Sequence, residues 1–340
     1  MIIFSTKDAG PAAYLSEIIK VLNEPYICVA SSFAQKIFDV NNIKSTVIDF
    51  STQEEYGKFV EANFKEIPIK LIITGTSWGN SIDKAFIKFG IEKNINVISI
   101  IDHWSWYKER FLLKNALVLP NFILVNDEYA RDEAKKEGLD GNIIYAIGNP
   151  VLENKVTKAT NIIGKDQWLK NLNLADKKII TFISEEYAKD FPMDSSYYQG
   201  FDEYQVLEDI LDLIGEKEHL LIKLHPSEKM DKYDKYKRKN VSILYGIDLN
   251  PLIIYSDIFI GMGSMLLMEA AVLRDVVISY RPNDKKGFIG NRIGATILVQ
   301  DKQSLNEIFE KGIKFDKSNF AEKFKGSTER IVDFVKGYLD

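Results

Sequence analysis

The stretch KLIITGTSWGNSIDKAFIKFGIEKNINVISII, residues 70–101, sets the fold class. It opens on a short run that is apolar on both faces and passes through a turn of small residues. A helical pattern over residues 83–93 follows, and the stretch closes on a second apolar run. Runs rich in Ile and Val and apolar on both faces read as buried parallel strands, so this is a strand–helix–strand unit. The alternation extends both ways along the chain. MIIFS, YICVA and STVIDF precede it; FILVN, IIYAIG, KIITFIS, LLIKLH, VSILY, IFIGMG and VVISY follow. Further helical patterns fall at residues 11–22, 128–137, 205–214, 265–273 and 304–311. The expected class is α/β with parallel sheets.

The chain has 340 residues, which suits two domains of ~170 residues better than one core. The strand series pauses over residues 148–178, a polar stretch that starts Gly-Asn-Pro and carries no strand signal. Two Rossmann-like domains are therefore expected, residues 1–150 and 151–318, with their sheets facing a cleft and a hinge near Gly148–Asn154. Residues 319–340 form an amphipathic tail expected to pack back across both domains. Apolar residues at 46% and charged residues at 27% fit a globular protein, and a net charge of −5 gives no basic excess for nucleic acid. The single cysteine, Cys28, lies in an apolar run and reads as a reduced core residue, which fits a cytoplasmic location. No uncharged apolar run reaches ~18 residues, and the N-terminus lacks the form of a signal peptide.

In open α/β sheets, ligands sit beyond the carboxyl ends of the strands, near helix N-termini. In the second half this rule points first to IGMGSMLLMEAA, where Gly263 and Ser264 open a helix suited to a phosphate and Glu269 is placed for ribose hydroxyls. It points next to LLIKLHPSE. Lys223 and His225 share a face at a strand end, Pro226 breaks the strand, and the imidazole can donate to a pyrophosphate. His219, at the other end of that strand, reads as a surface residue. In FISEEY, Ser184 is a candidate, whereas Glu185 and Glu186 are expected to repel a phosphate.

In the first half, Gly10 lies in the turn after the first strand, and Thr76 and Ser77 lie beyond another strand end. The segment SIIDHWSWYKERF runs from a strand into Asp102 and His103, rival general bases for a hydroxyl. Trp104, Trp106 and Tyr107 offer flat faces to a sugar, and Lys108 and Arg110 can meet an anion. Each of these loops equally fits ordinary strand–helix punctuation or packing. Neither metal-ligand spacing nor a phosphate-binding Gly-Lys-Ser/Thr loop is present, and no resident cofactor is expected.

Together, the two Rossmann-like halves, GNPV at residues 148–151 and IGMGSMLLMEAA resemble the GT-B glycosyltransferases. They look most like the group holding the lipid II-forming N-acetylglucosaminyltransferase, lipid A disaccharide synthase and the UDP-N-acetylglucosamine 2-epimerases. KLHP followed by GMGS is similar to the His-Pro and serine motifs of bacterial sialyl- and Kdo-type transferases. The resemblance implies that His225 and Ser264 meet the nucleotide phosphate and that Glu269, six residues after Gly263, meets the ribose. The epimerases carry His-Glu where this chain has Asp102-His103, which sets a transferase ahead of an epimerase.

The expected activity is therefore metal-independent glycosyl transfer in surface-glycan assembly. Ser184, Lys223, His225, Pro226, Gly263, Ser264 and Glu269 would hold a UDP- or CMP-linked sugar as co-substrate. Gly10, Thr76, Ser77, Trp104, Tyr107 and Arg110 would hold a glycan or lipid-linked acceptor, which leaves room for peripheral membrane contact. Asp102 or His103 would serve as base. The rival expectations are a sugar-nucleotide epimerase or hydrolase on the same fold, and a non-catalytic nucleotide- or sugar-binding protein.

Overall fold

A computed structural model of the chain describes residues 1–114, 116–159, 162–174, 176–285, 287–312 and 320–339. The chain forms two compact units, Met1–Asn154 with Lys323–Asp340, and Lys155–Glu322. The expected boundary at residues 318–319 lies outside the described residues.

In the first unit the strands are β1 (Ile2–Thr6), β2 (Tyr26–Ala30), β3 (Thr46–Val47), β4 (Leu71–Thr74) and β5 (Asn96–Ile101). A short antiparallel hairpin of β6 (Leu112–Leu113) and β7 (Ala116–Leu117) follows, then β8 (Phe122–Val125) and β9 (Ile144–Ala146). Apart from the hairpin the strands form one parallel sheet, ordered β3-β2-β1-β4-β5-β8-β9. The order reverses between β1 and β4, so their carboxyl ends flank the switch point where such sheets bind ligands. Every side chain of β1 and β4 is buried, as expected for strands with helices on both faces. Cys28 is buried and unpaired.

The Gly-Asn-Pro-Val motif has a local structural explanation. Gly148 takes φ +113°, where a side chain is strained, and lies against Ser327. Asn149 Oδ1 accepts from the N–H groups of Val151 and Leu152 at 3.0 and 3.1 Å, capping the helix Pro150–Lys158, whose first residue is proline. The polar stretch without strand signal thus begins with this helix and continues with another, Lys165–Asn171. The terminal helix Ser327–Lys336 belongs to the first unit and packs on Ala9–Leu22 through Ile331, Val332 and Val335.

The second unit repeats the plan with β10 (Lys178–Ile183), β11 (Glu218–Lys223), β12 (Val241–Leu244), β13 (Ile258–Gly261), β14 (Ile278–Tyr280) and β15 (Ile297–Val299). Its parallel sheet runs β12-β11-β10-β13-β14-β15, and the switch point falls between β10 and β13. His219 is buried rather than on the surface, with Nε2 2.8 Å from Ser242 Oγ. Among the described residues no helix is long and apolar enough to cross a membrane.

Candidate functional site

A cavity of about 410 Å³ opens in the second unit, lined by the loops that follow β10, β11 and β13. Glu185, Glu186 and Tyr187 come from the first of these, His225 and Ser227 from the second, and Gly263 and Ser264 from the third. A larger groove of about 780 Å³ in the first unit lies along the helices Gln53–Phe64 and Ile82–Glu92, and no residue lining it ends a strand of the parallel sheet.

Buried charge fixes the cavity wall. Ser184 Oγ donates to Glu228 Oε1 at 2.7 Å, and the His225 backbone N–H donates to Glu228 Oε2 at 2.6 Å. Lys232 Nζ then bridges Glu228 and Glu203 at 2.6 Å each and reaches the Glu185 carbonyl at 3.3 Å. The loops after β10 and β11 and the start of the helix Glu203–Leu213 are held by one ammonium and two carboxylates, all nearly inaccessible to solvent. Ionised pairs of this kind are costly to break singly, because the partner left behind remains charged and buried.

The imidazole of His225 is oriented by a relay. Ser227 has one hydroxyl proton, which it donates to Glu186 Oε2 at 2.7 Å. Nδ1 of His225 lies 2.7 Å from the same hydroxyl oxygen and accepts from the Ser227 backbone N–H at 3.3 Å. Nε2 of the same ring has no partner among the described residues.

Gly263 has no room for a side chain, because a Cβ there would strike the Tyr187 hydroxyl and come within 3.2 Å of Arg281 Nη1. Arg281 lies behind the turn, paired with Asp284 at 2.9 Å and donating to Tyr187 Oη at 3.0 Å. The Gly263 N–H donates to Glu185 Oε2 at 2.9 Å. Burial pushes the Glu185 carboxyl up to about 7, against the pull of the Gly263 and Met262 N–H groups and of Arg281. Glu185 therefore does more than repel: its carboxylate sits on the donor that the sequence reading reserved for a phosphate.

His225, Gly263 and Ser264 come together around this cavity, with Ser264 Oγ capping Met265–Ala271 by accepting from Leu266 N–H at 3.2 Å. Pro226 follows His225 on the exposed turn. Ser184 is a buried anchor behind the wall. Lys223 and Glu269 do not line the cavity. Burial lowers the Lys223 ammonium against the attraction of Glu228, and Glu269 is paired with Lys155 at 2.5 Å.

In the first unit the loops after β1, β4 and β5 hold the remaining candidates. Asp102 follows β5, and its carboxylate occupies the space a Cβ would take at Gly10. Burial pushes this carboxyl above its ordinary range against the pull of Arg110, whereas burial and Arg110 both lower His103, to about 4. His103 is thus neutral at physiological pH, with Nδ1 2.9 Å from Ser105 Oγ. Thr76 and Ser77 are buried and spent locally. Thr76 Oγ1 donates to the Ile100 carbonyl at 2.9 Å, and Ser77 Oγ accepts from the N–H groups of Lys7 and Asp8 at 3.2 and 3.1 Å. Trp104 and Tyr107 are also buried. Trp104 Nε1 donates to Asp127 at 3.0 Å and its ring meets Phe324 edge-on, so neither ring is a free platform. The exposed tryptophans on these loops are Trp106, which the sequence singles out, and Trp78, which it does not.

The family model for a protein of unknown function, DUF354, matches residues 73–339. The chain belongs to the DUF354 family. No curated protein matches it. Among solved structures, this DUF354 chain is similar to the UDP-GlcNAc 2-epimerase of Methanocaldococcus jannaschii at 16% identity and TM-score 0.73, covering 99% of this chain and 100% of that one. It is similar to the UDP-GlcNAc 2-epimerase of Neisseria meningitidis, bound to UDP-GlcNAc, at 14% identity and TM-score 0.70, covering 99% and 100%. It is also similar to the glycotransferase of kitacinnamycin at 10% identity and TM-score 0.65, covering 100% and 99%. At these identities the likeness establishes the GT-B fold.

Proposed function

We propose that this chain is a glycosyltransferase that moves a sugar from a nucleotide-sugar onto an acceptor hydroxyl in surface-glycan assembly. The observation that carries the reading is the cavity at the β10/β13 switch point, where an anion position is already marked by a carboxylate. When a UDP- or CMP-linked sugar enters, the N–H groups of Gly263 and Ser264 and the imidazole of His225 meet the oxygens of its diphosphate or single phosphate. As the sugar–oxygen bond breaks, these donors stabilise charge on the departing nucleotide. The first unit supplies the acceptor surface, and Asp102 or His103 takes the acceptor proton.

One observation favours a second reading, a sugar-nucleotide epimerase or hydrolase. Glu185 has a pKa of about 7 at the nucleotide cavity itself, suited to proton transfer that needs no acceptor, and several solved structures of like fold are 2-epimerases. Incubating the protein with UDP-GlcNAc alone separates the two: an epimer or free sugar supports the second, and product only with added acceptor supports the first. The nucleotide assignment itself is tested by thermal shift with UDP, CMP, GDP and dTDP. His225→Ala is expected to weaken the preferred nucleotide by about tenfold, the loss of one charge-assisted hydrogen bond. Unchanged affinity and turnover would refute the assignment.

A further inference from the structure

Trp78 and Trp106 are the two exposed tryptophans, 45% and 57% accessible, and lie beyond the carboxyl ends of β4 and β5. Their ring centroids are 6.0 Å apart with planes at 74°, so they form an open corner rather than a stack. Neither ring is there for want of a better place. Arg110, itself 6% accessible, lies with its guanidinium 5.3 Å from the Trp78 ring and ties both loops together. Its Nη1 donates to the Thr76 carbonyl at 3.0 Å and its Nε to the Ser105 carbonyl at 3.3 Å, each one or two residues before a tryptophan. Trp106 is further held at φ +60°, a region in which a bulky side chain is an outlier. A buried cation and a disfavoured backbone conformation both hold two apolar rings in solvent.

We propose that the Trp78–Trp106 corner binds a neutral pyranose ring of the acceptor. The apolar C–H face of such a ring lies against one indole while the other closes its edge. Around the corner, Asp8 accepts from the Trp78 backbone N–H at 3.4 Å, and the carboxyl of Asp102 and imidazole of His103 follow on the next loop. These groups accept and donate to sugar hydroxyls. Arg110, Lys84 and Lys7 are spent on backbone carbonyls, Arg110 on Thr76 and Ser105, Lys84 on Gly79 at 2.7 Å and Lys7 on Asn80 at 3.0 Å. They stand beside the carboxyls of Asp8 and Asp102, so a phosphoryl or uronate group gains less here than a neutral ring. The inference rests on the transferase reading for the word acceptor, but the binding it describes does not.

The test is saturation-transfer NMR on the whole chain with methyl glycosides of glucose, N-acetylglucosamine, galactose and mannose at millimolar concentration, alongside methyl glucuronide and glucose 1-phosphate. At least one neutral glycoside is expected to bind, with the charged probes weaker. Trp78→Ala and Trp106→Ala are each expected to weaken it about fivefold, as loss of one aromatic contact predicts, and Trp106→Phe to restore most of the affinity. Thermal unfolding and nucleotide binding of the variants are read in parallel and should match the parent. Absence of glycoside binding in the parent, equal binding in the alanine variants, or a change of oligomeric state as their only effect overturns the proposal. Nucleotide binding without tryptophan-dependent glycoside binding sinks this inference and leaves the transferase reading standing. The reverse result sinks the transferase reading and leaves the sugar site.

Discussion

Glu185→Gln removes the charge of a carboxyl that the fold holds on a backbone donor, and two consequences can be separated by pH. In the folded chain the group titrates at about 7, against 4.5 for an ordinary glutamate. Between these values the unfolded chain has lost a proton that the folded chain keeps, so stability falls as pH rises through that window and levels off above it. The full gap corresponds to at most roughly 3 kcal/mol. Part of the side chain reaches solvent, which reduces the expected effect to about 1–2 kcal/mol. The amide can still accept from the Gly263 N–H without being charged. The variant should therefore be more stable than the parent by about 1–2 kcal/mol near pH 8 and equal to it near pH 4. A second effect appears in ligand affinity. Above about pH 7 the ionised carboxylate competes with a phosphate for the same N–H, so UDP affinity of the parent should fall by up to about tenfold per pH unit relative to the variant. Urea unfolding and calorimetric titration with UDP across the pH range measure both. Parallel pH profiles for the two proteins, or a variant less stable near pH 8, would refute the reasoning.

Other changes probe the scaffold around the sites. Glu228→Ala strips Ser184, the His225 backbone and Lys232 of a shared acceptor and should cost about 3–5 kcal/mol in chemical unfolding, whereas a loss below ~1 kcal/mol would mean the network contributes little. Gly263→Ala forces the Tyr187 hydroxyl aside and should abolish a nucleotide-induced thermal shift; a normal shift would place the phosphate elsewhere. Gly148→Ala meets both an unfavourable φ and Ser327, and should lower the melting temperature by several degrees, about 1–3 kcal/mol of strain, with nucleotide affinity unchanged.

The fold was legible because parallel strands buried on both faces leave little ambiguity in runs such as KIITFIS. The hairpin at Leu112–Leu117 was not, since two-residue strands carry no period. Helices Pro150–Lys158 and Lys165–Asn171 hid in a polar stretch notable only for its lack of strand signal, where Asn149 and Gly164 serve as caps. At the cavity of the second unit, His225, Gly263 and Ser264 followed from strand-end position. Glu185 did not, because charge counted along a sequence says nothing of burial or of the N–H group a carboxylate faces. The DHWSWY segment shows where periodicity stops giving direction. Trp104 and Trp106 are two apart and would share a face on a strand, but the chain has left β5 by then. The left-handed turn at Trp106 sends one ring outward while the other is buried.

The terminal helix gives the molecule an order of assembly. On a ribosome the first unit emerges early, yet Ile331, Val332 and Val335, which cover its helix Ala9–Leu22, are made after the whole of the second unit. At ~5–20 residues per second, synthesis of the intervening segment takes on the order of ten to thirty seconds. Throughout that interval the apolar face of Ala9–Leu22 stays uncovered, so the first unit is completed only after the second has been made. Removal of Ser327–Lys336 would damage the first unit and leave the second whole.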